Sequence, residues 1–270
     1  MYSSSALSEN AEIFYDVIGE GPYLIMVSGA GGNSARYEDV ATQLSNHFTV
    51  VRYDRRCNSR SGGNSELALD MAQQARDVVA ILDALEVKTA FLFGNSGGAN
   101  IAINVVELFP ERILGLVAHE PPTLSVLPDA TEWISFSDKV CSLFKEEGPK
   151  AAMMMFGSAL KGVPLSALSA GAGVGDAASK KNLGFFLTHE LASICRYKPN
   201  VEKLRRACCP LVFVAGASSG DAYYARTADI LATLTGGQSK QFLGHHISFV
   251  TDPIPFSEDI LRAFQDMNVS

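Results

Sequence analysis

Short apolar runs and longer helical patterns take turns along most of this chain. Residues 23–27, 48–53, 90–93, 113–118, 210–215 and 240–243 are continuous or β-rich apolar runs that predict strands. Between them, residues 35–44, 67–85, 100–109, 222–234 and 256–264 repeat apolar positions at helical spacing; in the second, Ala75, Val78, Val79, Ile81, Leu82 and Leu85 carry the pattern. Strands alternating with helices over short connections predict an α/β fold with a mostly parallel central sheet, flanked by helices and wound right-handed. An edge hairpin is expected at residues 12–17, closed by the turn Gly19-Glu20-Gly21-Pro22.

The alternation stops between residues 127 and 206. Residues 133–144, 150–160 and 180–196 read as helices, with a loose Gly/Ala/Ser stretch, 167–179, before the last of them. A strandless insert in an alternating pattern predicts a helical cap, or lid, over residues 127–206 and a core made of residues 1–126 and 207–270. Met153, Met154, Met155, Phe156, Phe185, Phe186 and Leu187 are expected mainly to form the cap's own core. Those that face a cleft would favour an apolar small molecule.

Composition narrows the function classes. The 270 residues are 47% hydrophobic with a net charge of -7, and Lys and Arg are scattered, which argues against nucleic-acid partners and a polybasic membrane patch. No apolar stretch is long enough to span a bilayer, and the polar start lacks the layout of a secretory signal. Five spread cysteines (Cys57, Cys141, Cys195, Cys208, Cys209) are an odd number and suit a reduced, cytoplasmic setting. Cys208 and Cys209 are expected to be buried thiols. A homodimer is left open.

The chemistry concentrates where the strands end, since active groups in parallel sheets collect at the carboxyl edge. After the strand at residues 90–93 come Gly94, Ser96 and Gly98, a G-x-S-x-G, and then a helix. Small residues two before and two after Ser96 allow the sharp turn that lifts a nucleophile clear of the sheet. Gly97 opens the helix, whose N–H groups suit an oxygen anion. Ser28-Gly29-Ala30-Gly31-Gly32 ends the strand at residues 23–27 and offers the N–H of Ala30 or Gly29 as the second half of an oxyanion hole. A serine hydroxyl also needs a base and a carboxylate to hold that base. The residues leave two choices for each: His245 or His246, and Glu120 or Asp221. His119 reads as structural. The polar loop from Asp54 to Gly63 is expected to pair its charges locally, without a chemical role. No metal or other cofactor is expected, because no ligand cluster accompanies the adjacent histidines.

These stretches resemble the α/β-hydrolase superfamily. Its marks here are Ser28-Gly29-Ala30-Gly31-Gly32, the run from Tyr53 through Ser61, the Ser96 turn, and Gly244-His245-His246 ahead of Asp252-Pro253-Ile254-Pro255-Phe256. The resemblance implies that His246, seven residues before Pro253, is the catalytic histidine. Ser28 stands where the superfamily usually has His, and Cys57 where it usually has Gly. Within the superfamily the chain is most similar to the fungal zearalenone-type lactonases, whose His-Glu-Leu-Pro motif matches His119-Glu120-Pro121-Pro122 in type and in distance from the serine. That similarity implies Glu120 as the acid and an ester or lactone as substrate. The tryptophan those lactonases use in the cap has no counterpart, Trp133 lying near the cap's start. Two other uses of the same site are consistent with the sequence: carbon–carbon cleavage or a lyase or cyclase step, and a ligand receptor.

Overall fold

The computed structural model describes residues 1–164, 167 and 177–267, so most of the loose stretch expected at 167–179 lies outside the described residues. Eight strands make one sheet: β1 (Tyr2–Ser8), β2 (Ala11–Ile18), β3 (Tyr23–Val27), β4 (Thr49–Tyr53), β5 (Ala90–Asn95), β6 (Ile113–His119), β7 (Leu211–Gly216) and β8 (Gln238–Phe242). Their order is β1-β2-β4-β3-β5-β6-β7-β8. From β4 to β8 every neighbouring pair is parallel; β1 pairs antiparallel with β2, and β2 with β4.

The expected edge hairpin is corrected by this topology. Its two arms are β1 and β2, with Ser8 opposite Ala11, and Gly19 to Pro22 instead leads β2 across to β3. The first arm was hidden because Tyr2–Ser8 carries four serines and mostly faces solvent. Only Ala6 and Ser8 are buried, and Ser8 is held by a 2.6 Å hydrogen bond from its hydroxyl to Asp77.

Strand side chains alternate between faces, and each face meets its own helices. Ile25, Val51, Leu92, Leu116 and Phe213 pack with α2 (Met71–Ala84) and α3 (Gly97–Leu108). Leu24, Met26, Phe93, Val117 and Val214 pack on the opposite face. There they meet α1 (Glu38–Leu44) and the C-terminal helix Pro253–Gln265, through residues such as Leu44, Phe256 and Ile260. Asp70 caps α2 by accepting a 2.9 Å hydrogen bond from Ala72 N–H, which satisfies a free helix-end donor.

Between β6 and β7 lie α4 (Ala130–Glu147), α5 (Pro149–Ser158), α6 (Ala177–Phe185), a π turn (Phe186–Glu190), α7 (Leu191–Cys195) and α8 (Val201–Arg206). Sequence periodicity runs the stretch from 180 to 196 as one helix. The chain interrupts it with the π turn, which sets Glu190 inward, fully buried. Phe186, Leu187, Leu191 and Ile194 form a third core with Leu124, Val140 and Tyr224, the last from α9 (Tyr223–Thr235). Trp133 stacks on Tyr223 with ring centroids 4.3 Å apart. All five cysteines are free; Cys209 is buried, but Cys208 is exposed, against expectation. No helix among the described residues is long and apolar enough to cross a membrane.

Candidate active site

Ser96 sits at the tip of the turn between β5 and α3 with φ 55° and ψ -130°, a region that a non-glycine residue enters only under strain. Its neighbours impose that conformation. Ser96 N–H donates to His119 O at 2.9 Å, and Ser96 O accepts from Ala99 N–H at 2.8 Å. The motif glycines are steric necessities: a Cβ on Gly94 would lie 2.5 Å from Gly98 O, and one on Gly98 would lie 2.2 Å from Val27 O. The backbone therefore passes too close for any side chain, and Ser96 is left half-buried on a cavity wall.

Glu120 follows β6 and also has positive φ, 49°. It is fully buried, and both carboxylate oxygens are engaged. Oε1 accepts from Gly216 N–H at 2.8 Å, and Oε2 lies 2.7 Å from His246 Nδ1. Burial alone would raise the Glu120 pKa. His119 and His246 beside it, with the hydrogen bond from His246, outweigh burial and bring it down to about 2. An ionised Glu120 can only accept, so the proton of this hydrogen bond is on His246 Nδ1.

His246 is fixed from two more directions. Its backbone carbonyl accepts from Asn95 Nδ2 at 3.1 Å, and its ring packs on Tyr224 with centroids 4.3 Å apart. The same Asn95 amide donates to His119 Nδ1 at 2.8 Å. Buried His119 has its pKa lowered to about 4, chiefly by desolvation, and stays neutral at pH 7. Tyr224 was not singled out from the sequence; nothing separates it from other apolar positions of its helix until the fold sets it under the imidazole.

The other candidates lie elsewhere. The His245 ring turns toward the following helical turn, with Nδ1 3.3 Å from Ile247 N and Nε2 3.4 Å from Thr251 Oγ1. Asp221 is exposed and ion-paired with Lys161. The structure therefore brings Glu120, and not Asp221, to His246, while Ser96 and His246 line one cavity. No hydrogen bond joins Ser96 directly to His246 among the described residues. The N–H groups of Gly29, Ala30 and Gly97 likewise have no protein acceptor among the described residues. Gly29 must be glycine, since a Cβ there would lie 2.8 Å from Asn95 O.

The loop after β4 corrects a second expectation. Its charges do not all pair locally: Arg56 reaches Asp77, Arg60 reaches Asp16, and Arg55 crosses to Glu190 in the π turn. The Arg55 guanidinium also donates to Ser28 O and Gly29 O, each at 2.9 Å. It thus holds the backbone of the loop that carries Ala30. The sequence showed an arginine in a polar loop; only the fold supplies its partners.

Met153, Phe156, Leu160, Ile247 and Phe249 give the cavity an apolar wall. Met154 is exposed, while Phe186 and Leu187 are buried in the helical core. Among the described residues no three His, Cys, Asp or Glu side chains group as a metal site would require.

Comparison with known proteins agrees with this architecture. Residues 22–147 match the family model described as alpha/beta hydrolase fold. An uncharacterized hydrolase of Bacillus subtilis (strain 168), YraK, is 28% identical over 256 residues, 92% of this chain and 90% of that protein. The zearalenone hydrolase of Bionectria ochroleuca is 30% identical over 114 residues, 41% of this chain and 43% of that one. Among solved structures, the enol-lactonase from Burkholderia xenovorans LB400 superposes with a TM-score of 0.74 at 17% identity, covering 97% of this chain and 100% of that one.

Proposed function

Since the chain has the α/β-hydrolase fold, we propose that it is a serine hydrolase cleaving an ester or lactone of a small molecule through an acyl-enzyme. The observation that carries this reading is the buried 2.7 Å pair between His246 Nδ1 and Glu120, on a ring that shares its cavity with the strained Ser96.

In this reading Ser96 Oγ attacks the carbonyl carbon while His246 Nε2 takes its proton. Glu120 keeps the ring in the Nδ1–H tautomer and stabilises the imidazolium that forms. The carbonyl oxygen gains negative charge and is met by the N–H groups of Gly97 and of Ala30 or Gly29. Collapse of the tetrahedral adduct expels the alkoxide, which receives the proton from His246. Water, activated by the same histidine, then attacks the acyl-enzyme and frees the acid and Ser96. Contacts between a serine and its base are commonly long in an empty site and close once substrate is bound. The apolar wall supports an apolar body on the substrate, and the helices between β6 and β7 act as its cap.

A fluorophosphonate probe tests the nucleophile. Wild-type protein should be labelled on the peptide containing Ser96, and Ser96→Ala should take up no label. Labelling that persists at another residue of the variant overturns the assignment.

A further inference from the structure

Three side chains around the cavity, those of Arg36, Tyr37 and Ser28, carry hydrogen-bond donors with no acceptor among the described residues. Arg36 belongs to the 3-10 turn Ser34–Tyr37, just beyond the loop that carries Ala30. It lines the cavity, half-buried, with its guanidinium carbon 5.2 Å from the centroid of the Phe249 ring. Most arginines near the core have a carboxylate: Arg55 has Glu190, Arg56 has Asp77 and Arg60 has Asp54. Arg36 has neither an ion pair nor a side-chain hydrogen bond among the described residues. The Tyr37 and Ser28 hydroxyls are also buried without hydrogen-bond partners among the described residues, and both residues line the same cavity.

Buried donors are nearly always satisfied, by protein, water or ligand. An arginine cannot shed its charge to escape the problem. Desolvation by burial lowers its pKa from the ordinary value. The apolar side chains around it also strengthen its pull on an anion by excluding water. The protein's net charge of -7 repels anions in general, so this local cation is the feature that would admit one.

We infer that the substrate carries a carboxylate in its acyl part, received by Arg36 with the Tyr37 and Ser28 hydroxyls beside it. The inference rests on the serine hydrolase reading for its chemistry, and on the cavity alone for the anion site. A guanidinium and a carboxylate match in shape and charge, and two parallel hydrogen bonds fix the acyl chain's direction. Ser28, Arg36 and Tyr37 come from the same connection after β3 as the Gly29 and Ala30 N–H groups offered to the carbonyl oxygen, and in this proposal the anion lies on the acyl side. The remaining wall, Met153, Phe156 and Leu160, would cover the methylenes between carboxylate and scissile bond.

Two measurements test this. The first is the ratio of kcat/KM for para-nitrophenyl hydrogen glutarate to that for the neutral para-nitrophenyl pentanoate. Wild type should favour the glutarate, and Arg36→Gln should lower the ratio by about 10- to 100-fold, the usual worth of a charge-assisted pair. Arg36→Lys, which keeps the charge, should restore part of it. The second is calorimetric binding of glutarate to the Ser96→Ala protein, with and without Arg36→Gln; the second change should weaken binding by a similar factor. Turnover of both esters with no preference, and a ratio indifferent to Arg36, overturns the anion site and leaves the hydrolase reading standing. Glutarate binding that depends on Arg36 in a protein that hydrolyses neither ester overturns the hydrolase reading and leaves the anion site standing.

Discussion

Arg55 and Glu190 lie 135 positions apart in the chain and face each other as a fork, Nη1 to Oε1 at 2.7 Å and Nη2 to Oε2 at 2.8 Å, both side chains without solvent contact. The pair joins the helices between β6 and β7 to the loop after β3, because the same guanidinium donates to Ser28 O and Gly29 O. Two charges in the interior are costly unless every polar atom is matched. Here Asn58 Nδ2 gives Glu190 a third hydrogen bond, at 3.1 Å. Removing one partner strands the other. Glu190→Gln should therefore cost about 3–5 kcal/mol and lower Tm by on the order of 10 °C. Replacing both residues together, Arg55→Met with Glu190→Leu, should recover part of that loss. Thermal unfolding of the three proteins checks it; a Glu190→Gln protein as stable as wild type would deny the pair its structural weight.

Glu120 holds His246 and Asp221 does not, so the two carboxylates should differ sharply on mutation. Glu120→Gln should lose on the order of a thousand-fold or more in kcat, since an amide can favour the wrong imidazole tautomer. Asp221→Asn should stay within about twofold, the size expected for an exposed ion pair away from the chemistry. Steady-state rates on a para-nitrophenyl ester decide it, and comparable losses in the two variants would undo the assignment of the acid.

The strain at Ser96 should be measurable. A serine with φ 55° is held where glycine sits comfortably, so Ser96→Gly should abolish turnover and stabilise the fold by about 1 kcal/mol. In a chain of this size that is a Tm increase of about 2–4 °C. An unchanged or lower Tm would mean that the turn stores no strain at this residue.

His119 and Glu120 set the acid limit. The folded His119 pKa, about 4, lies below its ordinary value of 6.5, so the unfolded chain binds the extra proton between those two. Its contribution is complete above pH 6.5 and is lost as the pH falls toward 4, roughly 3 kcal/mol in all. Glu120 is a depressed carboxylate, and the stability it adds is present above its ordinary 4.5 and drains away as the pH falls toward 2. Urea unfolding across this range should show two successive losses. His119→Gln, which can still accept from Asn95, should flatten the upper one; an unaltered slope there would remove His119 as its source.

How far the sequence could be read is clearest from the residues themselves. The strands β3 to β7 are apolar runs bounded by turn signals, and burial on both faces of a parallel sheet requires that pattern. The Gly94-Ser96-Gly98 turn shows because backbone crowding forbids larger residues at its flanks. β1 was not legible: its serines satisfy an edge strand facing water as well as they would a disordered start. The π turn was not legible either, since one extra residue in a helical turn barely disturbs an apolar period.

Local chemistry in the chain thus determined the sheet, its helices and the residue types gathered at the carboxyl edge. Which histidine meets which carboxylate, implied by the resemblance but left open by local chemistry, was decided by tertiary structure, as was the match of Arg55 with Glu190. The reason is physical: period, turn chemistry and steric exclusion act between near neighbours and leave marks in the order of residues. A hydrogen bond between groups 126 positions apart, such as that of His246 and Glu120, depends on a few ångströms that only the packed sheet defines.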